Sequence, residues 1–92
     1  MKLDKYRGII PAFYACYDRA GEVSGDGVRA LTRYFVDQGV KGVYVGGFSG
    51  ECIYQSVEDR KKTLEAVMDE AAGRLTVIAH VACNNTRDSR IL

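Results

Sequence analysis

The chain has 92 residues, with 13 Lys and Arg against 12 Asp and Glu, a formal charge of +1 and 47% apolar content. That length allows one small domain with much of its surface unburied, and that composition is globular, not disordered. The charge is spread without a basic stripe, which leaves no electrostatic footprint for nucleic acid, and no stretch approaches the ~20 apolar residues that cross a bilayer.

Cys16, Cys52 and Cys83 are odd in number, widely spaced and without a C-x-x-C pair, which suits reduced thiols better than a disulfide framework or a zinc site. The start, Met1 to Tyr6, has no apolar signal core. The expected compartment is the cytoplasm.

Three apolar runs bounded by turn residues follow one another: Gly8 to Tyr14, Gly42 to Val45, and Leu75 to Val81. They begin at 8, 42 and 75, and these steps of 34 and 33 residues suit one strand, one crossover helix and two short loops. Pro11 lacks a ladder donor and belongs near a strand end. After the first run, Asp18-Arg19-Ala20-Gly21 reads as a turn. Ser24 or Asp26 then caps a helix whose apolar face is Val28, Leu31 and Phe35, and Gly39 ends it.

After the second run, Ser56 caps another helix, with Glu58 and Asp59 at its positive end. Its expected apolar face is Leu64, Val67, Met68 and Ala71, and Gly73 closes it. After the third run, Asn84-Asn85-Thr86 offers a cap for a helix over 87–92. The order is β-α-β-α-β followed by the start of a helix, with no linker or composition shift, and right-handed crossovers make such strands parallel. The expected fold class is α/β, of the (β/α)₈ barrel kind. Eight units of this length need about 260 residues, so residues 1–92 are expected to form the incomplete N-terminal part of such a barrel, about its first three βα units.

The second run leads directly into Gly46-Gly47-Phe48-Ser49-Gly50-Glu51. Glycines let a backbone turn sharply and approach a ligand, and successive free N–H groups in such a turn suit an anion such as a carboxylate. The N–H groups of Phe48 and Ser49 with the Ser49 hydroxyl form a donor set at the strand end where barrel enzymes bind their substrates. The competing reading is a plain strand-to-helix turn. G-x-S-x-G would need glycine where Glu51 stands, and the dinucleotide fingerprint is absent. Glu51 is a candidate general base or, more commonly, a turn carboxylate accepting backbone N–H groups. His80, the sole histidine, sits inside the third run without a metal-ligand neighbour and reads as a hydrogen-bonded core or barrel-lining residue. Tyr14 and Tyr17 follow the first run and can line the pocket. Glu58, Asp59 and Asp69 read as a solvated helix face, so no metal site is expected.

The segment Gly42-x-Tyr44-Val45-Gly46-Gly47-x-Ser49-Gly50-Glu51, followed by Gln55-Ser56 and Arg60, resembles the dihydrodipicolinate synthase and N-acetylneuraminate lyase family of pyruvate-dependent class I aldolases. Ile78-Ala79-His80-Val81-x-Cys83 looks closest to the N-acetylneuraminate lyase branch, and the similarity runs from Gly8 to Leu92. The resemblance implies a (β/α)₈ barrel, usually a tetramer. In it a lysine on the sixth strand forms a Schiff base with pyruvate and a tyrosine after the fifth strand shuttles protons. Both are expected beyond residue 92, so no catalytic residue lies in this chain.

What the chain would contribute is substrate binding through Gly47, the Phe48 backbone and Ser49. It departs from the family at Phe48, where Ser or Thr is usual, and at Ala15-Cys16-Tyr17, where Thr-Pro-Phe is usual. The first change keeps two N–H groups and removes a hydroxyl. The implied partners are pyruvate, a sugar or aldehyde acceptor, and further copies of the chain. No cofactor, nucleic acid or membrane is implied. Two alternatives stand beside the lyase: 4-hydroxy-tetrahydrodipicolinate synthase, and a non-catalytic half-barrel module that folds only by pairing.

Overall fold

The computed structural model describes residues 3–92. Two strands, β1 (Gly42–Val45) and β2 (Thr76–Ala79), pair in parallel, with Gly42 opposite Thr76 and Val45 opposite Ala79. The first apolar run lies along the other side of β1 but is not a regular strand. It makes a single parallel bridge, Ala12 to Tyr44. Three hydrogen bonds tie it down: Lys41 N–H to Ile9 C=O at 3.0 Å, Tyr44 N–H to Pro11 C=O at 3.0 Å and Phe13 N–H to Tyr44 C=O at 2.9 Å. Pro11 donates nothing to a ladder, which interrupts the regular pattern in that run.

Between the first run and β1, the Asp18 carboxylate accepts from Ala20 N–H and Glu22 N–H, and the chain doubles back through a Tyr17–Val23 antiparallel bridge. Helix α1 (Gly25–Gln38) starts at Ser24, whose Oγ accepts from Gly27 N–H at 3.0 Å, and stops at Gly39 with φ 75°. Helix α2 (Val57–Ala71) starts at Ser56, whose Oγ accepts from Asp59 N–H at 3.1 Å. Its end differs from the expectation: Ala72, not Gly73, takes the first left-handed position, with φ 48°. A short helix α3 (Thr86–Ile91) is capped by Asn85, which accepts from Asp88 N–H at 2.8 Å.

The two long helices pack on each other and on one face of the sheet, and the core between them holds Phe13, Val28, Val43, Val45, Val67 and Ala71. Val28, Leu31 and Phe35 face inward as expected, and Phe35 stacks obliquely on Phe13 at 6.0 Å. On α2 the expected face is off at one place: Met68 is 54% exposed, while Arg60, Thr63, Ala66, Val67 and Ala71 are buried. Buried positions spaced at 60, 63, 67 and 71 set one helical stripe, and 68 lies about 100° around the axis from 67. Along the outer seam Arg29 pairs with Asp69, and Arg33 and Arg74 with Glu70. Among the described residues no helix is long and apolar enough to cross a membrane.

β1 ends against its own side chain. The Tyr44 ring lies beneath Gly47, where an added Cβ would come within 2.5 Å of Tyr44 Cε1, and it meets the His80 ring edge-on at 5.8 Å. Only a residue without a Cβ fits there while the ring keeps its place. Gly47→Ala is expected to lower the stability of a full-length protein carrying these residues by about 1–3 kcal/mol. In a double-mutant cycle Tyr44→Leu, which removes the clashing edge, should recover part of that loss. Additive thermal melts for the two changes would show that the ring does not hold the turn.

Several large apolar side chains stay outside the core at the ends of the strands, among them Ile9 at 73%, Phe48 at 84%, Ile53 at 68% and Tyr54 at 78% exposure. The outer edge of β2 also has no partner among the described residues. Residues 1–92 expressed alone are therefore expected to self-associate. Sedimentation should show oligomers or aggregate; a monomer with strong amide protection along β1 and β2 would contradict this.

Candidate substrate-binding site at the carboxyl ends of the strands

Directly after β1 the backbone turns through Gly46, at φ 79°, and closes a single 3₁₀ turn over Phe48–Gly50. The carbonyl of Gly47 accepts from Gly50 N–H at 3.0 Å and Cys52 N–H at 3.3 Å, and Phe48 C=O accepts from Glu51 N–H at 2.9 Å. The leading N–H groups of a helical turn have no partner within it. Among the described residues those of Phe48 and Ser49 donate to no protein acceptor, and both residues are exposed while Gly47 and Gly50 are buried. Of the three expected site residues, Gly47 sets the turn, and Phe48 and Ser49 present adjacent donors on its surface.

Glu51 behaves differently from the expected turn carboxylate. It stands between two 3₁₀ turns in the left-handed region, φ 61°, and its side chain accepts no N–H among the described residues. A left-handed non-glycine residue costs roughly 1–2 kcal/mol, so the loop holds Glu51 there against its own preference. Of the two tyrosines, Tyr17 reaches this loop: its hydroxyl accepts from Gln55 Nε2 at 3.1 Å, while Tyr14 is 65% exposed. Nearby, Cys16 is half-buried, and removal from water pushes its thiol above the ordinary range, which makes it a poor nucleophile.

His80 lies just past the end of β2 and not inside it, half-buried, with its N–H donated to Val45 C=O at 2.8 Å. Beside it is a residue whose importance sequence reasoning missed. Arg60, on the first turns of α2, is only 6% exposed. Its Nη1 donates to Ala82 C=O at 2.9 Å and to Cys83 Sγ at 3.1 Å, and its Nη2 to His80 C=O at 2.9 Å and to Gly46 C=O at 3.4 Å. Nε is buried without a partner. The available signal was periodicity: Arg60, Leu64, Val67 and Ala71 fall on one stripe, so an arginine there had to enter the core side of the helix.

Between the loop after β1 and the loop after β2 opens a cleft of about 460 Å³. Phe48, Cys52 and Ile53 line one side, His80 and Cys83 the other, and Arg60 contributes between them. Among the described residues no group of three His, Cys, Asp or Glu side chains gathers as metal ligands. None of Lys5, Lys41, Lys61 and Lys62 lies on a strand: one is in the turn over Asp4–Tyr6, one just before β1 and two on α2, of which Lys61 lines a small pocket with Gly46 and His80.

Residues 5–92 match the dihydrodipicolinate synthetase family. An N-acetylneuraminate lyase of Mediterraneibacter gnavus is 71% identical over 98% of this chain, and N-acetylneuraminate lyase 2 of Escherichia coli is 42% identical over 96%. Each alignment spans 29% of the relative, so the chain covers under a third of the length of these proteins. The wild-type sialic acid aldolase of Ruminococcus gnavus superposes with a TM-score of 0.94 at 70% identity, over 96% of this chain and 29% of that one. Its catalytic-lysine mutant gives 0.97 over 98% and 30%, and the N-acetylneuraminate lyase of Mycoplasma synoviae 0.94 at 31% identity over 98% and 31%. The architecture is that of the opening βα units of a (β/α)₈ barrel, and the chain belongs to the dihydrodipicolinate synthetase family.

Proposed function

We propose that these residues are the opening part of a Schiff-base-forming lyase that splits N-acetylneuraminate into N-acetylmannosamine and pyruvate. The observation that carries this reading is the pair of unpartnered N–H groups at Phe48 and Ser49, in a chain 71% identical to an N-acetylneuraminate lyase. Two N–H groups and the Ser49 hydroxyl would hold the pyruvate carboxylate by charge-assisted hydrogen bonds. The bound keto acid would then present its carbonyl to a lysine amine, and the resulting iminium would serve as the electron sink for making or breaking the neighbouring carbon–carbon bond. No metal or organic cofactor enters that chemistry.

The lysine belongs outside this segment, as does the proton-shuttling tyrosine. A sialic acid aldolase to which the chain is similar carries a catalytic lysine, while Lys5, Lys41, Lys61 and Lys62 here stand in the first turn, just before β1 and on α2, none of them on a strand. The domain is thus read as the incomplete N-terminal part of a barrel, working in the cytoplasm as a homo-oligomer, the family's tetramer. Phe48 removes a side-chain hydroxyl from the cradle, so a proton relay through that side chain is absent and the backbone alone serves position 48.

Residues 1–92 alone are expected to trap no pyruvate under borohydride, and a stable reduced pyruvate adduct on Lys41, Lys61 or Lys62 in the mass spectrum would contradict the assignment of the lysine elsewhere. In a full-length enzyme carrying these residues, Ser49→Ala is expected to lower kcat/KM for pyruvate roughly ten- to a hundred-fold, since a hydrogen bond to a charged group contributes about 1.5–3 kcal/mol. Cys52→Ala should cost less. Phe48→Thr should raise kcat if a hydroxyl relay can be restored there. Steady-state kinetics with varied pyruvate check all three, and unchanged constants for Ser49→Ala would reduce the loop to a structural turn.

A further inference from the structure

We infer that Arg60 is a positioning residue for the carboxylate cradle, acting from beneath it through the backbone at Gly46. This rests on the proposed lyase reading and goes one layer below it. The guanidinium is buried, and every hydrogen bond it makes to backbone goes to the segments that leave the two strands: Gly46 C=O after β1, His80 C=O and Ala82 C=O after β2. Arginine is always charged, and its planar fork can serve several acceptors at once in a fixed geometry that the single ammonium of lysine cannot copy. Gly46 sits two residues before the first cradle donor, and at φ 79° it belongs to a backbone region open to few other residues.

The other side of the same turn is held by the Tyr44 ring under Gly47. Gly46 and Gly47 are thus fixed from two directions, by a cation bonded to a carbonyl and by an aromatic ring in contact. Orienting the Phe48 and Ser49 N–H groups before the ligand arrives removes an ordering cost from binding. Among the described residues no carboxylate pairs with Arg60. Its bonds go to backbone carbonyls, a thiol and the neighbouring imidazole, so its contacts are spent on holding loop geometry.

The test is steady-state kinetics of pyruvate condensation with N-acetylmannosamine, in the full-length enzyme carrying these residues, for Arg60→Met and Arg60→Lys beside the wild type. Because the cradle holds the carboxylate in both ground and transition states, its loosening should raise KM for pyruvate about tenfold or more in Arg60→Met, with kcat within about twofold. Arg60→Lys, which keeps the charge but offers its three N–H donors from a single nitrogen, should fall between. An arginine that only stabilises the fold would lower the melting temperature and leave KM of the folded enzyme alone. KM within twofold of wild type in a folded variant overturns the inference, and if Arg60→Met does not fold, Arg60→Lys decides it by the same criterion. A wild-type enzyme that does not condense the two substrates overturns the lyase reading itself, and the role of Arg60 with it.

Discussion

A single guanidinium crosses the carboxyl ends of two parallel strands, and the geometry of the candidate site depends on it. Parallel strands end in carbonyls that the ladder no longer satisfies, and here three of them, at Gly46, His80 and Ala82, accept from Arg60. Burying such a cation costs several kcal/mol, and a buried charge stripped of its partners costs about 3–5 kcal/mol more to tolerate. Hydrogen bonds from a charged donor contribute about 1.5–3 kcal/mol each, so the arrangement is favourable only with the loops in place around it. The loops hold the arginine as much as the arginine holds the loops.

The turn after β1 shows how little freedom that leaves. Tyr44 occupies the space where a side chain at position 47 would go, Gly46 takes a left-handed backbone, and Glu51 is forced into one. What emerges is a short turn whose first two N–H groups face no protein acceptor. The N–H at position 48 does not depend on what side chain the residue carries, and the exposed Phe48 ring becomes one wall of the neighbouring cleft.

Away from the site, the helices are joined by two different means. Toward the sheet they share an apolar core around Phe13, Val28 and Val67, which supplies the main stabilisation. Toward solvent the seam is ionic, with Arg29 and Arg33 of α1 facing Asp69 and Glu70 of α2, while Arg74, just past α2, pairs back onto Glu70. Asp69 lifts the Arg29 guanidinium further above its ordinary value through their hydrogen bond, but pairs this exposed contribute little energy.

By itself the sequence determined the features with local causes. The two long helices alternating with the second and third apolar runs, the cap at Ser56, the stop at Gly39 and the glycine turn after Val45 follow from periodicity and from residues acting on their own backbone. The spacing of the apolar runs carried the barrel class, and the motif around Ser49 carried the family. Tertiary structure decided whatever needed two distant segments at once. Pro11 and the pairing available to it reduced the first run to one bridge beside β1, and His80 was placed past its strand and against Tyr44. Packing against α1 and the sheet turned Met68 outward and Arg60 inward. An arginine in a sequence looks like a surface residue, because most are; only the meeting of two strand ends supplies the carbonyls that let this one be buried.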